Sequence, residues 1–447
     1  MSKGSAQTTA SPRFKSYPQY KDSGVEWLGE VPGHWKIRKT TWLFAIGSGT
    51  TPPSEDLAYY GGDIPWVTTS ELRESVVVTT EKTVTKEALR DLPSLRLHPK
   101  GSVAVAMYGA TIGRLGILGT DATVNQACCV FSMPKGIDAA FWFFWLQMRR
   151  PYLISLGYGG GQPNLSQDLL RSVRVPTPPE EEQRAIVAFL DRETAKIDAL
   201  VAKKERLIEL LQEKRAALIT RAVTKGLDPN VPMKDSGVGW LGEMPEHWEI
   251  QKTTWLFSIG SGTTPSSEDP AYYGGDIPWV TTSELRETVV VTTEKTVTKE
   301  ALRDLPSLRL HPKGSVAVAM YGATIGRLGI LGADATVNQA CCVFSRPKGI
   351  DAAFWFFWLQ MRRPYLISLG YGGGQPNLSQ DLLRSVRVPT PPEEEQRAIV
   401  ALLDSETAKL GALVAKVRDG IDRLKEYRTA LISAAVTGKI DVREEVA

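Results

Sequence analysis

Thr177-Pro178-Pro179-Glu180-Glu181-Glu182-Gln183-Arg184-Ala185 reads as the start of a helix, and the same nine residues return as Thr390-Pro391-Pro392-Glu393-Glu394-Glu395-Gln396-Arg397-Ala398. Thr177 is placed to cap, Pro178 suits the first helical position, and Glu180 completes a capping box. The three glutamates favour the positive end of a helix dipole. From there to about Val223 the chain holds neither Pro nor Gly, so the helix spans roughly 65 Å at 1.5 Å per residue. Globular helices average only about 11–12 residues. The offset between the two starts is 396 − 183 = 213. Asp22-Ser23-Gly24-Val25 and Asp235-Ser236-Gly237-Val238 give the same figure, 235 − 22 = 213. All twelve Trp residues fall into matched pairs, Trp66 with Trp279 among them. The period is domain-sized, far above the roughly 20–50 residues of a solenoid unit.

Each long helix carries a heptad-like stripe. Leu190, Ile197, Leu211 and Leu218 hold one seam position, interrupted by Lys204, and Leu200 and Leu207 hold the other. In the second helix Leu403, Leu410, Val417, Leu424 and Leu431 hold the first position, and Leu413 and Tyr427 the second, with Gly420 as a weak spot. A narrow seam of this kind needs a partner. Two such helices in one chain solve the problem by packing on each other; folding each back on its own domain is the alternative.

Ahead of each helix the texture is mixed. Gly47-Ser48-Gly49-Thr50-Thr51-Pro52 and Gly61-Gly62-Asp63 are loop signals, and Ser75-Val76-Val77-Val78-Thr79 is strand-like. Ile137 to Tyr152 looks helical and aromatic, and Gly157 to Asn164 is a glycine-rich loop. The fold class is therefore α+β: two near-identical domains and two long coiled-coil helices that pack on each other. The expected divisions are a disordered tail at 1–19, a first domain at 20–176, a helix at 177–225 and a linker at 226–240. A second domain at 241–389, a second helix at 390–437 and a tail at 438–447 complete the chain.

Composition sets bounds. Of 447 residues, 42% are hydrophobic and 23% charged, and the formal net charge is +3; nucleic acid is neither demanded nor excluded by that balance. No apolar run approaches the roughly 20 residues that span a bilayer, and no apolar signal core is present, so the cytoplasm is the expected compartment. Cys128, Cys129, Cys341 and Cys342 form adjacent pairs in apolar stretches, which suits buried reduced thiols and not a zinc site. The phosphate-loop, nucleophile-elbow and metalloprotease patterns are missing, as is a dinucleotide turn. The chain reads as a recognition protein, with catalysis left to partners.

At this point the residues resemble a family. Lys21-Asp22-Ser23-Gly24-Val25-Glu26-Trp27-Leu28-Gly29-Glu30-Val31-Pro32-Gly33-His34-Trp35 looks like the opening of a target recognition domain in type I restriction–modification specificity subunits. Gly49-Thr50-Thr51-Pro52, Ile64-Pro65-Trp66-Val67, Tyr108-Gly109-Ala110-Thr111-Ile112-Gly113-Arg114 and Gln162-Pro163-Asn164-Leu165-Ser166 are similar to later motifs of those domains. The segment Leu424-Lys425-Glu426-Tyr427-Arg428 through Asp441-Val442 resembles the family's ending. The resemblance implies two target recognition domains separated by two long antiparallel coiled-coil helices with pseudo-two-fold symmetry, each domain reading half of a bipartite double-stranded DNA target and the helices fixing the unread gap. It implies two modification subunits that methylate adenine with S-adenosylmethionine, and restriction subunits that use ATP and magnesium. The specificity subunit itself binds no cofactor or metal and catalyses nothing.

One departure stands out. Family members generally carry dissimilar recognition domains. Between Lys36 and Pro178 these copies differ only at Lys36/Glu249, Arg38/Gln251, Ala45/Ser258, Pro53/Ser266, Leu57/Pro270, Ser75/Thr288, Thr120/Ala333 and Met133/Arg346. The implied target is an inverted repeat; Arg346 for Met133 and Gln251 for Arg38 are the first suspects should the halves differ.

Base reading needs polar side chains on loops that reach a groove. The candidates are Ser48, Thr50, Thr51, Thr68, Thr69, Ser70, Arg73, Tyr108, Thr111, Arg114, Gln162 and Asn164. Their counterparts are Ser261, Thr263, Thr264, Thr281, Thr282, Ser283, Arg286, Tyr321, Thr324, Arg327, Gln375 and Asn377. The plainer alternative is that several only build turns. Trp66 suits the core better than a stacking platform, and Arg149 and Arg150 either hold phosphate or solvate a helix end. Two rival functions are a protein-binding scaffold and a decoy that assembles with the modification subunit without reading DNA.

Overall fold

The structure, a computed structural model, describes residues 14–156, 164–370 and 377–446. The chain divides into two compact units, one of Met1–Lys204 with Asp419–Ala447 and the other of Glu205–Arg418. Each unit holds one α+β module and an antiparallel helix pair built from half of each long helix.

In the first unit a five-stranded sheet runs in the order Ala45–Ser48, Cys128–Ser132, Val103–Ala106, Leu115–Leu118, Ser75–Val77. A three-stranded sheet joins Thr123–Val124, Tyr60–Val67 and Thr83–Val84. The aromatic helix Ala139–Ser155 lies against the larger sheet, capped by Asp138, whose carboxylate accepts from the Ala140 and Phe141 amides. It buries Phe141, Trp142, Trp145 and Leu146 against Val103, Val105 and Phe131. The second unit repeats this order, from Ser258–Ser261 through Ala352–Ser368. All four cysteines are buried and unpaired on the sheet strands, and burial pushes their thiols well up, that of Cys129 to about 12.

The long helices run Glu180–Lys225 and Glu393–Val436. In the first unit Leu190 and Ile197 share a core with Leu431, Ile432 and Ala435. Asp198 pairs with Arg428 at 3.0 Å, and the Lys204 side chain meets Gly420, so partner numbers fall as helix numbers rise. In the second unit Leu403 and Ile399 share a core with Ile219, Ala222 and Val223.

The second seam position differs from the sequence reading. Leu200, Leu207 and Leu413 are 43, 40 and 43% exposed, and Tyr427 is exposed as well. The inward position lies one residue further on, at half-buried Val201, Ile208 and Val414 and at buried Ala222, Ile421 and Ala435. On a helix turning about 100° per residue, a step of four lands about 40° from its start and a step of three about 60° away. Leu200 and Val201 are both apolar, so the pattern alone does not choose between them.

The ends also depart from expectation. Residues 14–19 are not a loose tail: Phe14 and Tyr17 are buried in the first core, Phe14 edge-on to Phe189 at 5.4 Å. The segment after 437 is likewise packed, with Ile440 and Val442 buried and Lys15 bridged to Asp441. Polar neighbours hid these few apolar anchors. Thr177 does not cap; it ends the strand Arg174–Thr177, and its hydroxyl donates to the Val175 carbonyl. The second module begins inside the expected linker, because Met233–Asp235 pairs with Glu243–Pro245 as Tyr20–Asp22 pairs with Glu30–Pro32.

Two predictions follow from the packing. Ile197→Ala should lower the stability of the full chain by about 2–5 kcal/mol through cavity formation, and Leu200→Ala should stay within about 1 kcal/mol of wild type; urea midpoints check both. His98 and His311 are buried, each bonded through Nδ1 to a serine hydroxyl at 3.0 Å, and burial lowers each imidazole from 6.5 to about 4, with Arg96 and Arg309 adding to it. The unfolded chain therefore takes up protons first as pH falls. The stability these groups contribute is complete above 6.5 and is lost toward pH 4. Denaturant titrations at pH 7 and pH 5 should show the loss, and His98→Gln with His311→Gln should flatten it.

Candidate nucleic-acid interface

Strand register gathers the scattered motifs at one edge of the five-stranded sheet. Ser48 lies opposite Cys129, Ala106 opposite Cys128 and Leu115 opposite Val105, while Ser75 runs parallel beside Gly116. The chain leaves the sheet at Ser48 and Ala106 and enters it at Ser75, Leu115 and Cys128, all at the same end. The loops after Ser48, between Ala106 and Leu115, before Cys128 and before Ser75 consequently share that end. Asn125 donates its amide to the Val67 carbonyl at 2.9 Å, which brings Thr68 alongside. Leu165 donates to Met107 at 2.7 Å and draws exposed Asn164 to the same edge. Gln162 and Gln375 lie outside the described residues.

Each loop is held by specific bonds. A Cβ on Gly49 would stand 1.6 Å from the Val124 carbonyl oxygen, so only glycine lets Thr50 and Thr51 emerge there. Trp66 is 5% exposed and donates its indole N–H to the Thr50 carbonyl at 3.0 Å, which makes it a buried brace for the loop. The Glu71 carboxylate accepts from the Thr68 amide at 2.6 Å and the Glu81 amide at 2.7 Å. Thr68 and Ser70 hydroxyls meet at 2.8 Å, and Arg73 donates to the Ser70 carbonyl at 3.2 Å; Thr69 is half-buried between them. Gly109 and Gly113 take φ of 78° and 73°, turning the chain so that Tyr108 and Arg114 stand exposed with Thr111 half-buried between. Among the described residues no carboxylate pairs with Arg73 or Arg114. The edge thus offers hydroxyls, amides and guanidinium groups, the chemistry that reads base edges and phosphates.

The second unit reproduces the arrangement. Thr281 bonds Glu284 and Ser283, Arg286 bonds the Ser283 carbonyl, and Trp279 bonds Thr263. Ser261 ends its strand opposite Cys342; Thr264, Tyr321 and Asn377 are exposed, and Thr282, Thr324 and Arg327 half-buried.

Sequence reasoning missed Asn125 and Gln126, with their counterparts Asn338 and Gln339. Exposed Gln126 accepts from the Thr51 hydroxyl, and Gln339 accepts from Thr264. The signal was present as two adjacent amide side chains, but no glycine marked the turn. Glu71 and Glu284 were missed too, because an organising carboxylate has no motif.

Five of the eight differences between copies lie away from this edge. Ala45 lies opposite Ser132, and Met133 follows it; Thr120 follows the strand end Leu118; Lys36 lies opposite Thr177; Arg38 reaches Gly136. These five positions sit at the other end of the module. Pro53, Leu57 and Ser75 are exposed, Ser75 at the edge itself, and none is a candidate contact. Arg346 and Gln251 are thus remote from the candidate edge. Among the described residues no cluster of three or more His, Cys, Asp or Glu side chains is placed to hold a metal ion, and no helix is long and apolar enough to cross a membrane.

Comparison with known proteins gives the family. The type I restriction modification DNA specificity domain matches twice, over residues 32–210 and 245–421. The type I restriction enzyme MjaIX specificity subunit of Methanocaldococcus jannaschii is 23% identical over 97% of this chain and 99% of its own length. The EcoKI specificity subunit of Escherichia coli is 21% identical over 92% of this chain and 90% of its own. A chain from a study of complex assembly in a type I restriction–modification system shares the fold with a TM-score of 0.73, at 16% identity over 91% of this chain and 98% of that one. The HsdS subunit of Thermoanaerobacter tengcongensis gives 0.53 at 16% identity over 92% and 98%. With a match over well more than half its length, the chain belongs to the type I restriction modification DNA specificity family and carries that family's domain twice.

Proposed function

We propose that this chain is the DNA-reading subunit of a type I restriction–modification enzyme and that it reads the same half-site twice, on opposite strands. The observation that carries the reading is the identity of every candidate contact in the two copies, with all eight module substitutions falling elsewhere. Antiparallel long helices related by the repeat support a two-fold relation between the half-sites. The target is then an inverted repeat with an unread spacer, its half-site centres about one duplex turn, roughly 10 bp, apart.

Under this reading the chain contributes recognition and assembly and leaves chemistry to partners. Two modification subunits bring S-adenosylmethionine to adenine, and restriction subunits bring ATP and magnesium. The names of the relatives support those partners. A scaffold that binds only protein would have no use for polar loops gathered at one sheet edge around uncompensated arginines.

Methylome sequencing of the host with and without the gene tests the reading. An inverted-repeat methylated motif that disappears with the gene is expected; an asymmetric pair of halves overturns the symmetry, and no change in methylation marks a decoy. Gln126→Ala alone should relax one position in one half only, turning a symmetric motif asymmetric, and adding Gln339→Ala should restore symmetry. The cost per lost base contact should be about 1–3 kcal/mol, read as a roughly ten- to hundredfold change in preference at that position.

A further inference from the structure

The aromatic helix of each unit carries two adjacent arginines in different settings. Arg150 pairs with Glu74 at 2.5 Å and Arg363 with Glu287 at 2.8 Å. Their neighbours Arg149 and Arg362 are only 9 and 8% exposed, yet among the described residues no carboxylate pairs with either. The Arg149 guanidinium carbon lies 3.6 Å from the Trp27 ring centre and 3.5 Å from that of Tyr152. Arg362 repeats the sandwich between Trp240 at 3.5 Å and Tyr365 at 3.6 Å. Two rings therefore lie against each guanidinium, and the flanking tyrosine, Tyr152 or Tyr365, also hydrogen-bonds it; among the described residues no other side chain takes its remaining N–H groups. Burial pushes Arg149 down to about 10, which leaves it charged at neutral pH. Aromatic faces recover part of the lost hydration of such a cation, but the charge still lacks a counter-ion.

In the second unit Arg362 lines a pocket of about 210 Å³ together with Trp240, Tyr365, Leu366, Leu369 and Arg387. Its lining holds two guanidinium groups and no acid. At one end the pocket's Leu369 approaches the candidate edge, and at the other Arg387 lies opposite Lys252 on the strand pair that leads to the long helix. Gly370, one residue beyond Leu369, approaches the Asn377 backbone so closely that a Cβ would stand 3.0 Å from its carbonyl. Arg363 and Ile367 of the same helix pack on Gly326 in the Tyr321–Arg327 loop, as Arg150 and Ile154 pack on Gly113.

We propose that Arg149 and Arg362 each hold a DNA backbone phosphate through the remaining N–H groups of the stacked guanidinium, and so set the duplex on the candidate edge. The inference rests on the DNA-reading function above. A planar fork pre-oriented by two rings matches phosphate oxygens at little entropic cost. A phosphate contact fixes register without choosing bases.

The test uses the full chain assembled with its modification subunits, titrated by fluorescence anisotropy between 50 and 200 mM salt (about a fourfold range over which phosphate contacts show clearly). The probes are a duplex carrying the methylated motif and a scrambled duplex. Arg149→Met and Arg362→Met should each reduce the slope of log affinity against log salt by about 0.9, and the pair by about 1.8. Both duplexes should weaken alike, with the preference for the motif retained. An unchanged slope in a folded double variant overturns the proposal and leaves the arginines as clamps for the Trp27 and Trp240 turns. Loss of the modification subunits with an unchanged slope overturns it in favour of a protein carboxylate. Should the methionine variants not fold, Arg149→Lys with Arg362→Lys keeps the charge and loses the fork; weaker binding at an unchanged slope is expected, and unchanged affinity overturns the proposal. Absence of any motif preference in the wild-type complex would instead sink the DNA-reading function itself.

Discussion

The buried pair Glu182 and Gln183, at the mouth of the long helix, fixes each module to its helix. Glu182 accepts from the Trp35 indole at 2.8 Å, from His34 at 2.7 Å and from the Tyr17 hydroxyl at 2.5 Å. Gln183 accepts from the Asp138 amide at 2.6 Å and donates to the Pro178 and Gly136 carbonyls. Asp138 in turn caps the aromatic helix, so one residue pair couples both helix starts and the opening hairpin. A carboxylate in the first helical turn also meets the positive end of the dipole. Without this joint the reading edge would have no fixed direction relative to the helix that carries it. Glu395 and Gln396 repeat the joint with Trp248, His247 and Asp351.

The two joints are not equal. Position 17 maps onto 17 + 213 = 230, an exposed asparagine. Among the described residues no tyrosine bonds Glu395, and its side chain is 25% exposed, against 5% for Glu182. In the first unit the free ends of the chain supply what the linker does not supply in the second. Tyr17, Lys15, Asp441 and Arg443 close over Glu182, and the Arg443 guanidinium stands 5.1 Å from the Tyr17 ring. Segments that composition marks as polar tails are therefore structural.

Much of this was legible in the sequence. A constant offset of 213 reveals the duplication, a Pro- and Gly-free run reveals the helices, and glycines at Gly49, Gly109 and Gly113 mark loops that the structure places at one edge. What escaped is what periodicity cannot see. Leu200 and Val201 satisfy the apolar stripe equally well, and only packing in the antiparallel pair selects the latter. Phe14 and Tyr17 sit among polar residues, where three aromatic anchors in seven positions do not register as a core. Gln126 lies one strand away from its partner Thr51, 75 residues apart in sequence, and only strand register brings them to the same edge.

The copies have diverged unevenly, and the pattern separates two kinds of constraint. Eight positions differ between Lys36 and Pro178, whereas sixteen differ across the shorter span from Glu180 to Lys225 when set against Glu393 to Gly438. A helix seam tolerates change that its partner can absorb. Lys204 interrupts one apolar series and Gly420 leaves a gap in the other, and each looks like a fault in isolation. In the structure the two faults meet: the Lys204 ammonium lies 3.3 Å from where a Gly420 Cβ would stand. The long side chain lies over the residue that has none, its aliphatic stem covering the seam. Asp198 and Arg428 show the same freedom, since the repeat places Gly411 opposite Arg215 and the ion pair is not duplicated. A reading edge has no such freedom if both copies face the same half-site, because the surface that must be complemented is DNA and not another part of the chain. Divergent helices beside modules whose candidate contacts are identical are what that division of constraints produces.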